Sequence, residues 1–386
     1  MENKRQKSEL SDIFRDCRED FLRNHKLCEV QHKAFNSIIN CRTAQLGGHS
    51  MTCPDCGHTS NSYNSCRNRN CPKCQFIRQT QWVDKLAANI PPVKQFHIVF
   101  TIPNGLNALF LQNQSRAYSL LFKAAGKSVM QCARNNKYLG AQAGAIALLH
   151  TWGQNLSYHP HLHMIVPAGG LSDDGSEWIP SGRNFFLPVK LLSAVFRGLL
   201  FAMLKSECEN GTIKLPDAIK DLEALKNICY EKNWVVYCEK PFTNATNLIR
   251  YLGNYTHRVA ISNHRIAEYQ ERKVKFSYKD YKSGGQKRVL TLDVEEFVRR
   301  FMQHVLPSGF CKIRYFGFLA LSNMKTKLED CRQTIGKATY LSQLEGLQAL
   351  EVLEIVTGKN PFICPICKQG RLIPSGNIIA KEKQHG

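Results

Sequence analysis

Residues 149–170 read LHTWGQNLSYHPHLHMIVPAGG. The segment HLHMIV at 161–166 has the apolar, β-branched character of a strand, and Pro167 with Gly169-Gly170 marks its exit. Side chains alternate across a strand, so His161 and His163 leave from one face while Leu162 leaves from the other, toward a core. Two imidazoles on one face can hold a divalent ion, and His159 adds a third within five residues. His159, Gln154 or a residue of another strand would complete the ligand set, leaving positions for a substrate oxygen and water. Histidine with oxygen donors suits magnesium or manganese, whereas histidines alone would also suit zinc. An ion there can neutralise charge on a phosphate and orient it for displacement.

The neighbouring segments supply more strands. FHIVFTI at 96–102 reads as a buried strand ended by Pro103-Asn104-Gly105, and AIALLHTW at 145–152 as another. WVVYCEK at 234–240, VKFSY at 274–278 and RVLTLD at 288–293 complete the strand set. Helical patterns fall at 75–90, through about 139, at 188–209, at 216–230 and at VEEFVRRFMQHV, 294–305. Strands alternating with long helical intervals indicate an α+β catalytic core rather than a helical bundle. His97 lies on a strand too, with a place in the core or beside the site.

The chain of 386 residues carries 52 basic against 31 acidic side chains, a formal charge of +21. That excess favours a polyanionic partner, and its interleaving with aromatics and polar turns favours nucleic acid over a membrane surface. The first residues, MENKRQKSELSDIFRDCRED, lack the apolar core of a secretory signal, and AGAIALLHTW is too short to span a bilayer. The sixteen cysteines then read as metal ligands of a reducing compartment rather than as disulfides. A cytoplasmic, nucleoid-associated location is expected.

Residues 47–74, rich in Gly, Cys, Asn and Pro, could hardly fold on apolar burial alone. Cys53-Pro-Asp-Cys56 and Cys71-Pro-Lys-Cys74 each have the spacing that turns two thiolates toward one ion, and four thiolates satisfy tetrahedral zinc. The preferred site is therefore Cys53, Cys56, Cys71 and Cys74. Cys41, His49 and Cys66 offer three ligands for a second ion, and an interleaved arrangement is also compatible with the spacing, so one or two structural zinc ions are expected. Arg67 and Arg69, between the pairs, can contact DNA phosphates or simply solvate the module. Cys364-Pro-Ile-Cys367 is an isolated turn pair that a distant ligand would have to complete. A thioredoxin-like role is weaker, because no βαβ pattern precedes it.

No GxSxG elbow or carboxylate pair accompanies the histidines. Tyr251-Leu-Gly-Asn-Tyr255 offers another nucleophile: on a helix beginning near Asn244, phenols at i and i+4 share a face. A phenol needs help to ionise, and its oxygen can then displace the 3′ oxygen of a phosphodiester. Such pairs also serve packing, and Gly253 weakens the case for an uninterrupted, rigid helix. Arg258 and Arg265 can contact phosphate, Asn263 and His257 can orient groups, and KVKFSYKDYKSGGQKR at 273–288 can hold a single strand by charge and stacking. Tyr278 and Tyr281 are poorer nucleophiles, being in a strand-loop region.

Together LGGHSMTCPDCGH, SCRNRNCPKCQ, FHIVFTIP, the opening stretch, RYLGNYTHRVAISNHRI, FSYKDYKSGG, EFVRRFMQHVLPSGFCKIRYFGFLA and FICPICKQG closely resemble the two-tyrosine HUH transposases of rolling-circle insertion sequences, over roughly residues 20–375. The resemblance implies that His161 and His163 are the paired metal ligands and Tyr251 and Tyr255 the nucleophiles. It further implies an HUH endonuclease core, an antiparallel sheet with packed helices, preceded by a small zinc-binding module. The expected division is a zinc-binding DNA-contact module at 1–85, the core at 86–300 and a basic extension at 301–386. The implied partners are single-stranded DNA at element ends and target, and host replication proteins. Asn70 stands where the family often has histidine. A plasmid-type replication initiator or relaxase, or an inactive zinc-dependent DNA binder, are the alternatives.

Overall fold

The computed structural model describes residues 8–182, 186–232, 234–239, 241–242, 260–280 and 283–381. Three short helices open the chain, α1 (Leu10–Asp16), α2 (Arg18–Asn24) and α3 (Glu29–Asn40), followed by a hairpin of β1 (Gly48–Thr52) and β2 (Thr59–Tyr63) and by α4 (Gln75–Ala88). The centre is built from β3 (Gln95–Thr101), α5 (Asn107–Gln112), α6 (Gln114–Arg134), β4 (Gly144–Trp152) and β5 (Tyr158–Pro167). After a small hairpin of β6 (Gly169–Leu171) and β7 (Trp178–Pro180) come α7 (Val189–Glu209), α8 (Leu222–Tyr230) and β8 (Val236–Cys238). A three-stranded meander follows, β9 (Ile266–Gln270), β10 (Lys273–Asp280) and β11 (Gln286–Asp293), then the helix Val294–Met302 and β12 (Ile313–Gly317). Helices Lys327–Ile335 and Ala349–Thr357 and strand β13 (Ile373–Ile378) close the chain.

The central sheet is antiparallel throughout, in the order β12-β4-β5-β3-β8. The fold is α+β, as the sequence indicates. Period-two alternation explains its layering. Phe96, Ile98 and Phe100 of β3, Ala145, Ala147 and Leu149 of β4, and Leu162, Met164 and Val166 of β5 share one core with buried residues of α6 and α7. The small side chains of β4 let the long helix α6 lie close to the sheet. Gly126 of α6 is a contact point: a Cβ there would come 2.4 Å from the Phe316 ring on β12.

The opposite face changes character along the strands. At one end Ile146, Leu148 and Ile165 pack against Val83, Leu86, Phe318 and Leu319. At the other end the same face carries His150, His161 and His163. The sheet is thus closed on the helical side and polar at one corner of the other, which is where a site can form.

A second core joins Leu10, Ile13 and Phe14 of α1 and Phe35 and Ile38 of α3 to Val274 and Phe276 of β10 and to Phe297, Val298 and Phe301 of the helix Val294–Met302. That helix is amphipathic, with Glu295 and Glu296 in its first turn and Arg299 and Arg300 in its last, charges that suit the helix dipole. The segment after residue 300, read in the sequence as a C-terminal extension, supplies β12 to the edge of the central sheet and β13 to an antiparallel pairing with β1. Among the described residues no helix is long and apolar enough to cross a membrane.

Candidate active site

His150 on β4 stands directly opposite His161 on β5, and His163 follows on the same face of β5. The ligand atoms of His150, His161 and His163 all lie within 4.8 Å of one another. His161 and His163 approach Nε2 to Nε2 at 3.1 Å. The third imidazole of this group comes from the neighbouring strand, the last of the sources the sequence left open, and His159 is not in the group. His159 contributes its carbonyl oxygen, 2.7 Å from His161 Nδ1. The side chain of Gln154 lines the cavity, and its carbonyl accepts a hydrogen bond from Arg265.

Proton bookkeeping assigns the tautomer of His161. The carbonyl of His159 can only accept, so His161 carries its proton on Nδ1 and presents a lone pair at Nε2. His163 Nδ1 lies 2.8 Å from His97 Nε2, and His97 Nδ1 lies 3.1 Å from Glu239 Oε2. If Glu239 accepts from a neutral His97 through Nδ1–H, then His97 Nε2 accepts from His163 Nδ1–H, and His163 also carries its lone pair on Nε2. With that assignment both Nε2 atoms face one point, where a cation could accept both lone pairs. Burial holds His161 down to about 4, so it is neutral near pH 7 and fit to be a ligand. Such carboxylate–histidine chains behind a ligand fix ring orientation and raise basicity. Neither Glu239 nor His150 stood out in the sequence. The signal for His150 was its place near the end of a strand-like run, but its approach to His161 depends on strand register.

These groups line a cavity of about 820 Å³ together with Val235, Tyr237, Tyr278, Lys279 and Asp280. Burial also holds His304 down to about 4; it sits between Thr151 and the carbonyl of Leu156. This gives a pH prediction. The unfolded chain protonates His161 and His304 near 6.5, whereas the folded protein resists protonation until about 4. Stability from this source is complete above pH 6.5 and declines as pH falls toward 4. Thermal midpoints of metal-free protein across that range should drop. A midpoint constant down to pH 4 would contradict the burial of these imidazoles.

The cysteines form two groups, neither of them the expected quartet. Cys41, Cys66, Cys71 and Cys74 make one, and Cys53, Cys56, Cys364 and Cys367 the other, with all sulfurs in each group within 4.8 Å of one another. The expectation of Cys53 and Cys56 beside Cys71 and Cys74 fails for a topological reason. The Cys53–Cys56 turn joins β1 to β2, whereas the Cys71–Cys74 turn leads into α4 and meets Cys41 at the end of α3. Hydrogen bonds from Cys41, Cys66 and Cys71 draw the Cys74 thiol well below the ordinary thiol range. His49 is exposed on β1 and belongs to neither group. Asn70 hydrogen-bonds Asn68 instead, through its backbone N–H at 2.9 Å and its side-chain amide at 3.1 Å.

Residues 144–327 match a family model described as "Putative transposase", and residues 13–102 match one described as "Transposase zinc-binding domain". The chain is 40% identical over 381 residues to "Putative transposase y4qJ" of Sinorhizobium fredii, covering 95% of this chain and 94% of that one. It belongs to the IS91-type transposases. A second relative, "Transposase for insertion sequence element IS801" of Pseudomonas savastanoi pv. phaseolicola, is 28% identical over 367 residues, 91% of this chain and 85% of its own length. No solved structure matches significantly.

As a transposase of this type the protein acts on DNA, which accounts for its basic excess, and it carries a zinc-binding domain at its N-terminal end. Some of its arginines have work other than that expected. Arg69 is not a surface phosphate contact: its guanidinium donates to the carbonyls of Phe310 at 2.6 Å, Pro307 at 2.7 Å and Leu306 at 3.2 Å. Arg265 donates to Ser277 O at 2.8 Å and to Gln154 O, tying the 153–155 turn of the transposase to β10. Arg67 is exposed and compatible with phosphate contact. Tyr251, Tyr255, His257, Arg258 and Tyr281 lie outside the described residues.

Proposed function

We propose that this transposase cleaves and rejoins single-stranded DNA through 5′-phosphotyrosine linkages made by Tyr251 and Tyr255, during rolling-circle transposition, with a divalent ion held by His150, His161 and His163. The observation that carries this reading is the convergence of three imidazoles at one corner of the sheet, with ligand atoms all within 4.8 Å of one another. Magnesium or manganese bound there would supply positive charge to the non-bridging oxygens of a scissile phosphate. The rest of the work belongs to the chain. The Glu239–His97 pair holds His163 in orientation, and the His159 carbonyl does the same for His161.

A tyrosine phenol loses its proton and its oxygen attacks phosphorus. The P–O3′ bond breaks, and the released oxygen takes up a proton as a 3′ hydroxyl. The linkage keeps the phosphate activated for exchange, so a 3′ hydroxyl can later attack it, restoring the phenol and joining DNA without a nucleotide cofactor. Two tyrosines allow one linkage to persist while a second strand is cut. Tyr237 and Tyr278, which line the cavity, offer faces for unstacked bases, and Lys279 offers charge, a combination suited to single strands. Host replication proteins would supply the single-stranded intermediate.

The test offers labelled single-stranded DNA carrying the element's ends with magnesium or manganese. A protein–DNA adduct that survives SDS and is removed by protease is expected. Cleavage without any adduct would mean hydrolysis and overturn the proposal, and binding without cleavage would mark an architectural protein.

A further inference from the structure

The zinc-binding family match ends at residue 102, yet Cys53 and Cys56 meet two sulfurs from the far end of the chain. Cys53 Sγ lies 3.8 Å from Cys367 Sγ, and Cys56 Sγ lies 3.7 Å from Cys364 Sγ, across 314 and 308 residues of sequence. Four sulfurs placed tetrahedrally at a zinc–sulfur distance of about 2.3 Å are about 3.8 Å apart along each edge. Disulfide sulfurs would be bonded at about 2.05 Å. The spacing is that of a tetrathiolate metal site.

The two turns are also built alike. In Cys53-Pro-Asp-Cys56-Gly57 the N–H of Gly57 donates to the carbonyl of Cys53 at 2.9 Å. In Cys364-Pro-Ile-Cys367-Lys368 the N–H of Lys368 donates to the carbonyl of Cys364 at 3.0 Å. The residue after each second cysteine is left-handed, Gly57 at φ 70° and Lys368 at φ 59°. A lysine in that conformation is strained unless something holds the turn. Gly370 donates to Cys367 Sγ at 3.3 Å, and a Cβ on Gly370 would lie 2.4 Å from Cys53 Sγ, so the second turn is seated directly on the first. By contrast Gln75, the residue after the Cys71–Cys74 turn, is the first residue of helix α4.

Little else holds this end of the chain. Strand β13 pairs with β1 but is exposed along nearly its whole length. The local core consists of Cys53, Cys364 and Leu372, with Met51 and Cys367 against it. So small an apolar cluster cannot offset the ordering of a strand and two turns.

We propose that Cys53, Cys56, Cys364 and Cys367 form a structural zinc site that clasps the C-terminal segment to the β1–β2 hairpin. Its thiolates take a soft, tetrahedral cation. The site is separate from the Cys41, Cys66, Cys71 and Cys74 group and does not depend on how the histidine cluster works. The zinc module is then complete only when both ends of the chain are present.

The test uses full-length protein. Zinc measured by mass spectrometry should fall by one ion per chain in C364S/C367S relative to wild type, and residues near 360–381 should become open to proteolysis. A variant with undiminished zinc would overturn the proposal. Because that variant could also unfold, the second measurement uses wild type alone. Cys56 is exposed and Cys367 half-exposed, so both should react readily with an alkylating reagent unless metal holds them. Strong protection in zinc-loaded protein, lost on chelation, is expected. Equal labelling before and after chelation would overturn the site.

Discussion

Replacing His161 and His163 together by alanine is expected to reduce covalent adduct formation by at least about a thousandfold, while DNA affinity changes little. A bound cation contributes several kcal/mol to charge stabilisation at phosphorus, and each 1.4 kcal/mol is about tenfold in rate. Initial binding draws on charge spread over the whole surface, +21 in total, which the substitution leaves in place. Adduct yield, metal occupancy and DNA affinity measured on the same preparation would separate the two effects. Both histidines lie on β5 with their neighbours in the sheet intact, so the double variant should fold. Retained adduct yield would remove the histidine cluster from the chemistry.

The second large effect is expected of Tyr251→Phe combined with Tyr255→Phe, which keeps both rings and removes both phenolic oxygens. Adduct should vanish altogether, since no oxygen remains to form the phosphodiester. The single variants need not add up to this result, because groups that act as a unit are strongly non-additive. Each is expected to lose one of two strand-transfer events, and the pair of single variants would assign which tyrosine cuts the donor and which the target. Adduct persisting in the double variant would show that another nucleophile acts.

Parts of this molecule are legible in its sequence because they rest on local alternation. HLHMIV announces a strand with two histidines on one face, and FHIVFTI and AIALLHTW announce its neighbours. The α+β fold class follows from the same patterns. What local pattern could not supply is register. His150 reaches His161 because β4 and β5 pair in one antiparallel register, with an irregularity between His150 and Trp152. The chain of Glu239, His97 and His163 likewise joins β3, β5 and the residue that follows β8. Cysteine pairing failed for the same reason: the two-residue spacing says that a turn forms, not which turn it meets. Cys71 and Cys74 meet Cys41 and Cys66, and Cys53 and Cys56 meet a pair more than 300 residues away. Arg69 shows another limit. A basic residue in a polar segment suggests an exposed contact, but its guanidinium donates to the carbonyls of Leu306, Pro307 and Phe310, after the helix Val294–Met302.

The most direct measurement is to digest the covalent adduct and locate the nucleotide by mass spectrometry. The proposed chemistry requires a phosphotyrosine-linked nucleotide on the peptide containing Tyr251 or Tyr255, formed only when the divalent ion is present. A nucleotide attached elsewhere, to Tyr278 for example, or an adduct formed equally well after the ion is removed, would contradict it.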